Sequence, residues 1–320
     1  MPSKIKILAP SRNLLMTQKQ IEAGADEVYF GVESGDFKVY SFSGRYKSMN
    51  GVKVQIASYE ELKENLDICH ENGVSCQLAA NMHYIPEELN GEYLEHIKAC
   101  VSLGVDQLIV SNISLIAEIR KSGIDTPILA GSFTFMPNSE MVKYLESIGV
   151  FRVVLPHAMR LNEIAGIKAA CPNVELEIFA LIGGGNNCGR CLMFHSPVRK
   201  DIGPGCRALY DVNYGGVEYT GKRFLDAAAD CALCSMKDLI DAGADALKIV
   251  GRESKNEAIS AKFTNIFVRF REGVYAGKST AEIKKDLAAD TLFWNMNWLP
   301  RFCEDNRCKF HKTEVTESYI

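Results

Sequence analysis

Several features whose presence would settle the class of this chain at once are missing from it. No run of Lys and Arg stands out and the formal net charge is −4, so no global field draws the chain to nucleic acid or to an anionic membrane. No uninterrupted apolar stretch reaches the length needed to cross a bilayer. At the start, Lys4 and Lys6 precede only Ile7 to Pro10 as an apolar segment, too short for the core of a secretory leader. No GxGxxG opens a helix after the first strand pattern, which weakens a dinucleotide-binding reading. His70-Glu71 is not followed by a second histidine at metalloprotease spacing, and no GxSxG nucleophile elbow occurs. These absences leave a soluble protein, expected in the cytoplasm and without a membrane span.

What is present is the composition of a globular protein, 47% hydrophobic and 24% charged over 320 residues. A chain this long needs no metal merely to fold, so a metal site in it points to function more than to a staple for a tiny core. One pattern recurs: a helix ends at glycine, a small or apolar residue follows, and a short strand begins. It starts at Gly24, Gly73, Gly104, Gly123, Gly149 and Gly243. Glycine suits the residue after a helix because the left-handed conformation costs it nothing. The strands are almost wholly apolar, as in a parallel sheet covered on both faces. Ile5 to Ala9 and Val174 to Leu181 complete a count of eight. Helical stretches lie between them, with Asn138 and Asn162 as candidate caps of the two that follow. The alternation predicts an α/β fold, a (β/α)8 TIM-type barrel. Its domain would span residues 1–275, with a cysteine-rich insertion at 183–236 between strands seven and eight. A helical extension and tail would occupy 276–320.

In such a barrel the active site sits at the C-terminal ends of the strands. Those ends carry Ser11, Asn13, Glu33, Asn81, Ser111, Asn112, Ser132, His157, Gly183 to Asn187 and Arg252. The long connection after the seventh strand carries Cys188-Gly-Arg-Cys191, then Cys206, then Cys231-Ala-Leu-Cys234. Eleven cysteines in a reducing compartment point to metal or redox chemistry rather than to disulfides. A CxxC pair lets two thiolates reach one centre from a single turn, and five thiols readily supply the four ligands of an iron–sulfur cluster, expected as [4Fe-4S]. Structural zinc is the competitor, but the gap from Cys191 to Cys231 exceeds the usual ribbon spacing and Cys206 would be surplus. Cys69, Cys76, Cys100 and Cys171 sit singly on apolar faces and read as buried thiols, whereas Cys303 and Cys308 read as a structural tail. His195 reads as a loop histidine.

Several ordered motifs resemble the collagenase-like U32 peptidase family over most of the chain, from Leu8 to about Arg271. They are the opening LAPSRN with AGADEVYFG, Gln77 to Asn81, Asp106 to Ser111, and Arg152 to Pro156. Glu177-Ile-Phe179 leading to Cys-Gly-Arg-Cys, Gly205-Cys206-Arg207, Ser235 to Leu239, and Lys248 to Arg252 follow. Cys188 stands where the family has serine, Val250 where it has an acidic residue, and His157-Ala158 where Arg-Glu is frequent. The resemblance implies iron–sulfur proteins that support oxygen-independent hydroxylation of ubiquinone precursors, tRNA or ribosomal RNA, with dependence on prephenate in the RNA-modifying members. By that carry-over Cys191, Cys206 and a cysteine of the second pair would be ligands, with Cys188 as a substitute.

The reading that results is iron–sulfur-dependent, oxygen-independent hydroxylation, or a related redox modification, of a small molecule or an RNA. Cys188, Cys191, Cys206, Cys231 and Cys234 form the metal set. Lys248, Arg252 and His157 are the catalytic candidates, and Asn81 and Ser132 the substrate contacts. Two cations at the end of strand eight suit a carboxylate substrate or oxygen donor, although each has an alternative role in pairing with barrel carboxylates. The charge does not favour RNA. The alternatives are a peptidase, or a zinc-stabilised non-catalytic subunit acting with a hetero- or homo-oligomeric partner.

Overall fold

A computed structural model describes residues 4–34, 41–49, 51–82, 84–157, 159–182, 209–222, 230–297 and 310. Eight parallel strands close on themselves: β1 (Lys6–Pro10), β2 (Glu27–Phe30), β3 (Ser75–Ala79), β4 (Gln107–Val110), β5 (Ile128–Ala130), β6 (Val150–Val154), β7 (Glu175–Ile182) and β8 (Ala246–Ile249). Each pairs with the next, β8 returns to β1 with Lys248 opposite Leu8, and β8 also pairs with β7. The expected barrel is therefore the observed one. All six helix-ending glycines adopt positive φ, between 69° and 112°.

The surrounding helices are α1 (Leu14–Glu22), α2 (Tyr59–Glu71), α3 (Asn90–Ser102), α4 (Ile113–Lys121), α5 (Ser139–Ser147), α6 (Leu161–Ala170), α7 (Met236–Asp241) and α8 (Glu257–Tyr275). Two more, α9 (Thr280–Asp286) and α10 (Ala288–Asn297), follow, and α9 packs on α8. Asn13, Ser58, Asn112 and Asn138 cap their helices with a side-chain oxygen that accepts a backbone N–H. Asn162 does not: it lies inside α6, whose extended N-cap residue is Arg160, and the Glu163 carboxylate accepts the Arg160 N–H at 2.7 Å. Among the described residues, no helix is long and apolar enough to cross a membrane.

Strand periodicity sorts the side chains into two apolar cores. Outward-facing residues such as Val28, Phe30, Cys76, Leu78, Val153 and Ile178 pack beneath the helices. Inward-facing Leu8, Tyr29, Ala79, Ile109, Leu129, Val154 and Phe179 form a separate plug across the barrel. Below this plug, toward the strand starts, the interior is charged. Arg152, wholly buried, donates to Glu27 at 2.9 Å, Glu175 at 2.8 Å and Glu177 at 3.3 Å. Lys6 reaches Glu175 at 3.2 Å, and Gln77 donates to Glu27 at 2.8 Å. The plug thus separates a polar floor from the mouth at the strand ends.

In the long connection after β7, the strands Tyr210–Tyr214 and Val217–Lys222 form an exposed antiparallel hairpin turned at Gly215-Gly216. Both glycines have positive φ, which the tight turn requires. Cys188, Cys191, Cys206, His195, Cys303 and Cys308 lie outside the described residues.

Candidate functional site

A cleft of about 670 Å³, measured to its open rim, lies above the plug at the C-terminal ends of the strands. Its floor is Tyr29, Ala79, Ile109, Val154 and Phe179, and its polar lining includes Ser43, Arg45, Asn81, Ser132, Lys248, Arg252 and Glu253. Four of the side chains expected from strand ends are therefore brought together: Asn81, Ser132, Lys248 and Arg252.

The two cations of β8 and its loop have unlike surroundings. Lys248 reaches down through the plug to donate to Glu177 at 2.9 Å, and its ammonium lies 4.6 Å from the centre of the Tyr29 ring. Burial pulls its pKa below the ordinary lysine value, and the carboxylate of Glu177 opposes that pull. Arg252 is 5% exposed and donates to the Gln55 side-chain oxygen at 3.2 Å, with its guanidinium 5.7 Å from the Tyr29 ring. Among the described residues no carboxylate lies within ion-pair distance of it. Burial, with Arg45 adding repulsion, pulls its pKa down to about 10, while Tyr29 and Glu253 act the other way. Burial also raises the Tyr29 phenol, which donates to the Ile249 carbonyl at 3.2 Å.

Local packing fixes this geometry. Arg12 holds the loop after β8 by donating to the carbonyls of Arg252 at 3.0 Å and Ser254 at 2.6 Å. Gly31, at the end of β2, leaves the space that Gln55 and Arg252 occupy; a Cβ there would stand 2.2 Å from the Gln55 oxygen and 2.7 Å from an Arg252 nitrogen. Gly131, after β5, does the same for the opposite rim, where a Cβ would lie 2.1 Å from the Asn81 Oδ1 and 2.5 Å from the Ser111 Oγ. Ser111 donates to Asn81, so the rim amide is held.

Other strand-end residues do ordinary work. Asn13 and Asn112 are helix caps, and Ser11 shares a 2.7 Å hydrogen bond with Thr17. Glu33 sits 3.9 Å from Lys47. His157 is buried and stacks on Phe179, with ring centres 4.3 Å apart, but does not line the cleft. Arg45, Ser43 and Gln55 were not anticipated. They lie on the excursion between β2 and α2, which folds over the mouth because Val32 bridges to Ile56 and the Ile56 N–H binds the Gly31 carbonyl.

Of the five cysteines expected as ligands, Cys231 and Cys234 are described. Both are half-buried, neither is in a disulfide, and Cys231 pairs antiparallel with Leu181 near the end of β7. That strand runs into the segment bearing Cys188, six residues beyond Ile182. Cys69, Cys76, Cys100 and Cys171, by contrast, are buried.

Against known proteins, the chain is 27% identical over 227 residues to tRNA hydroxylation protein P of Escherichia coli, an alignment covering 68% of this chain and 46% of that protein. It is 24% identical over 265 residues to tRNA hydroxylation protein P1 of Bacillus subtilis, covering 78% and 59% respectively. The chain thus matches about half the length of these relatives. Among solved structures, the octameric ribulose-1,5-bisphosphate carboxylase/oxygenase of Pyrococcus horikoshii superposes with a TM-score of 0.52 at 11% identity. That alignment covers 93% of this chain and 67% of that one, a likeness of fold alone. Residues 12–294 match the sequence profile of Peptidase family U32. With the ordered motifs distributed around this barrel, that match establishes that the chain belongs to peptidase family U32.

Proposed function

We propose that this barrel hydroxylates a nucleoside in RNA, using a carboxylate-bearing small molecule as oxygen donor and an iron–sulfur centre at the rim. The observation that carries the reading is Arg252: a buried guanidinium, without a carboxylate within ion-pair distance among the described residues, in a cleft that also presents Arg45 and Lys248. Such a group suits an anionic ligand from outside. The relatives named for tRNA hydroxylation supply the substrate class. The net charge of −4 does not oppose it locally, because Arg45 and Arg252 outnumber the one carboxylate, Glu253, in the cleft lining apart from the Glu177-paired Lys248.

Cys188, Cys191, Cys206 and one or both of Cys231 and Cys234 would hold the cluster. The donor set suits it, since all are thiols and the half-exposed Cys231 lies beside the strand that leads to Cys188. When bound, the cluster would supply one-electron transfer. The chain's own residues do the rest. Arg252 and Arg45 hold the donor's carboxylate, Asn81 and Ser132 orient polar groups at the opposite rim, and the apolar floor excludes water beneath the reacting carbon. Exchange of a donor C–OH for a substrate C–H balances without molecular oxygen: the nucleoside loses two electrons and the donor gains them.

The test is anaerobic incubation of the reconstituted full chain with unmodified tRNA and a panel of hydroxy-carboxylates, followed by nucleoside mass spectrometry. A nucleoside heavier by one oxygen, dependent on the carboxylate and lost in Cys191→Ser, is the expected result. Unmodified tRNA under every donor, with cluster present, would overturn the reading.

A further inference from the structure

At the other end of the barrel, among the strand starts, three segments bring ligand-type side chains to one corner. His70 lies in the last turn of α2, Cys76 is the second residue of β3, and Asp106 immediately precedes β4. The imidazole nitrogen, the thiol sulfur and a carboxylate oxygen all lie within 4.8 Å of one another. His70 Nε2 is 3.0 Å from Asp106 Oδ2, and that same oxygen accepts the Cys76 N–H at 2.7 Å. Cys69, one residue before His70 on the buried face of α2, is a second buried thiol.

A carboxylate that closes the start of β3 explains Asp106 by itself. It does not explain why an imidazole and a thiol converge on the same carboxylate. Nitrogen, sulfur and oxygen donors together are the set that borderline-soft divalent ions select, at metal–ligand distances of about 2.0–2.3 Å. Donors about 2 Å from one ion at tetrahedral angles stand about 3.3 Å apart, so the His70–Asp106 separation is already near what an ion needs. Access comes from outside, because the side chains of His70 and Asp106 are 41% and 37% exposed while both cysteines are wholly buried. We propose that His70, Cys76 and Asp106 form a zinc-class site on the strand-start face, its fourth position taken by water. An ion there ties the end of α2 to the starts of β3 and β4, at the opposite end from the cleft. It is independent of the iron–sulfur reading.

His70→Gln is the discriminating variant, because a glutamine amide can still donate to Asp106 while the coordinating imidazole is gone. Parent, His70→Gln and Cys191→Ser full-length chains would be stripped with chelator, loaded with Zn²⁺, desalted and analysed for metal. The proposal expects His70→Gln to hold one equivalent fewer than the parent, or to bind that equivalent roughly 10–100-fold more weakly. Cys191→Ser should retain that equivalent. Loading Co²⁺ should give a thiolate charge-transfer band that weakens in His70→Gln, and added Zn²⁺ should raise the melting temperature of the parent more than that of the variant. Equal stoichiometry and equal zinc-induced stabilisation in parent and His70→Gln, with both melting alike in chelator, would overturn the site.

Discussion

The floor and the mouth of the barrel both bury cations, yet they surround them differently. On the floor Arg152 is enclosed by Glu27, Glu175 and Glu177, with Lys6 and Lys248 completing a cage of alternating sign. Burial alone would pull the Arg152 pKa down, but the three carboxylates outweigh it and hold the guanidinium above its ordinary value. Glu175 is the mirror image, kept below the usual carboxylate range by Arg152 and Lys6 although burial pushes it up. In the mouth, Arg252 is similarly buried and burial prevails, with a pKa pulled down to about 10. A matched cage is costly to break, whereas a buried cation without a carboxylate at ion-pair distance among the described residues is the kind of group the proposed ligand would match.

The comparison breaks most forcefully on the floor. Arg152→Met would leave Glu27 buried without its main counter-charge and Glu177 with Lys248 alone, and removing one partner of a buried ion pair costs about 3–5 kcal/mol. Denaturant unfolding should show that loss. An unchanged midpoint would mean that water enters the floor and screens the carboxylates. Next in size is His96, buried in the outer core beside the Tyr59 hydroxyl at 2.9 Å. Burial without a counter-charge pulls its pKa to about 4, from an unfolded value near 6.5. Above pH 6.5 both states are neutral there; as the pH falls toward 4 the unfolded chain takes up a proton that the folded one refuses. Stability should therefore fall by about 3 kcal/mol across that window, and His96→Leu should flatten the slope. His96 sharpens the contrast, since a buried base that can shed its proton does so, while a guanidinium cannot.

Third comes the mouth itself. Arg252→Met should lower affinity for a carboxylate ligand about thirtyfold, on the scale of about 2 kcal/mol for a hydrogen bond to a charged group, and leave the unfolding midpoint nearly unchanged. Lys248→Met should do the reverse, costing stability through Glu177. Calorimetric titration and denaturant unfolding of the two variants would expose any exchange of roles.

How much of this could be read from the chain follows from what each signal measures. The eight strands were legible because the helix-ending glycine and the apolar run are local features, and the closure of the barrel followed from their number. Asn81, Ser132, Lys248 and Arg252 were legible as polar residues at strand ends. Arg45, Ser43 and Gln55 were not, since their segment reaches the mouth only through the bridge from Val32 to Ile56. The floor was hidden for another reason. Glu175, Glu177 and Arg152 look like solvent-facing strand positions until the barrel closes, and only their spacing of two from Phe179 and Val154 puts them on its inside. His157 sits at a strand end as expected, but it stacks on Phe179 and is not among the residues that line the cleft.

The smallest effect tests whether the rim opposite Arg252 is built for a ligand or merely packed. Gly131 has φ of −68°, so alanine strains no backbone there; its methyl would instead meet Asn81 and Ser111. Overfilling a packed site costs about 1–3 kcal/mol, and the low end applies because Asn81 is half-exposed and can swing toward the cleft. Gly131→Ala should therefore lower stability by about 1 kcal/mol and weaken ligand binding by displacing the amide. Adding Asn81→Ala to it removes the closer of the two clashes and frees the Ser111 hydroxyl to turn aside, so part of the stability should return while affinity stays low, the non-additive pattern expected of two residues in contact. If affinity returned along with stability, Asn81 would be filling space rather than touching the ligand, and Arg252 would face a rim with no specificity of its own.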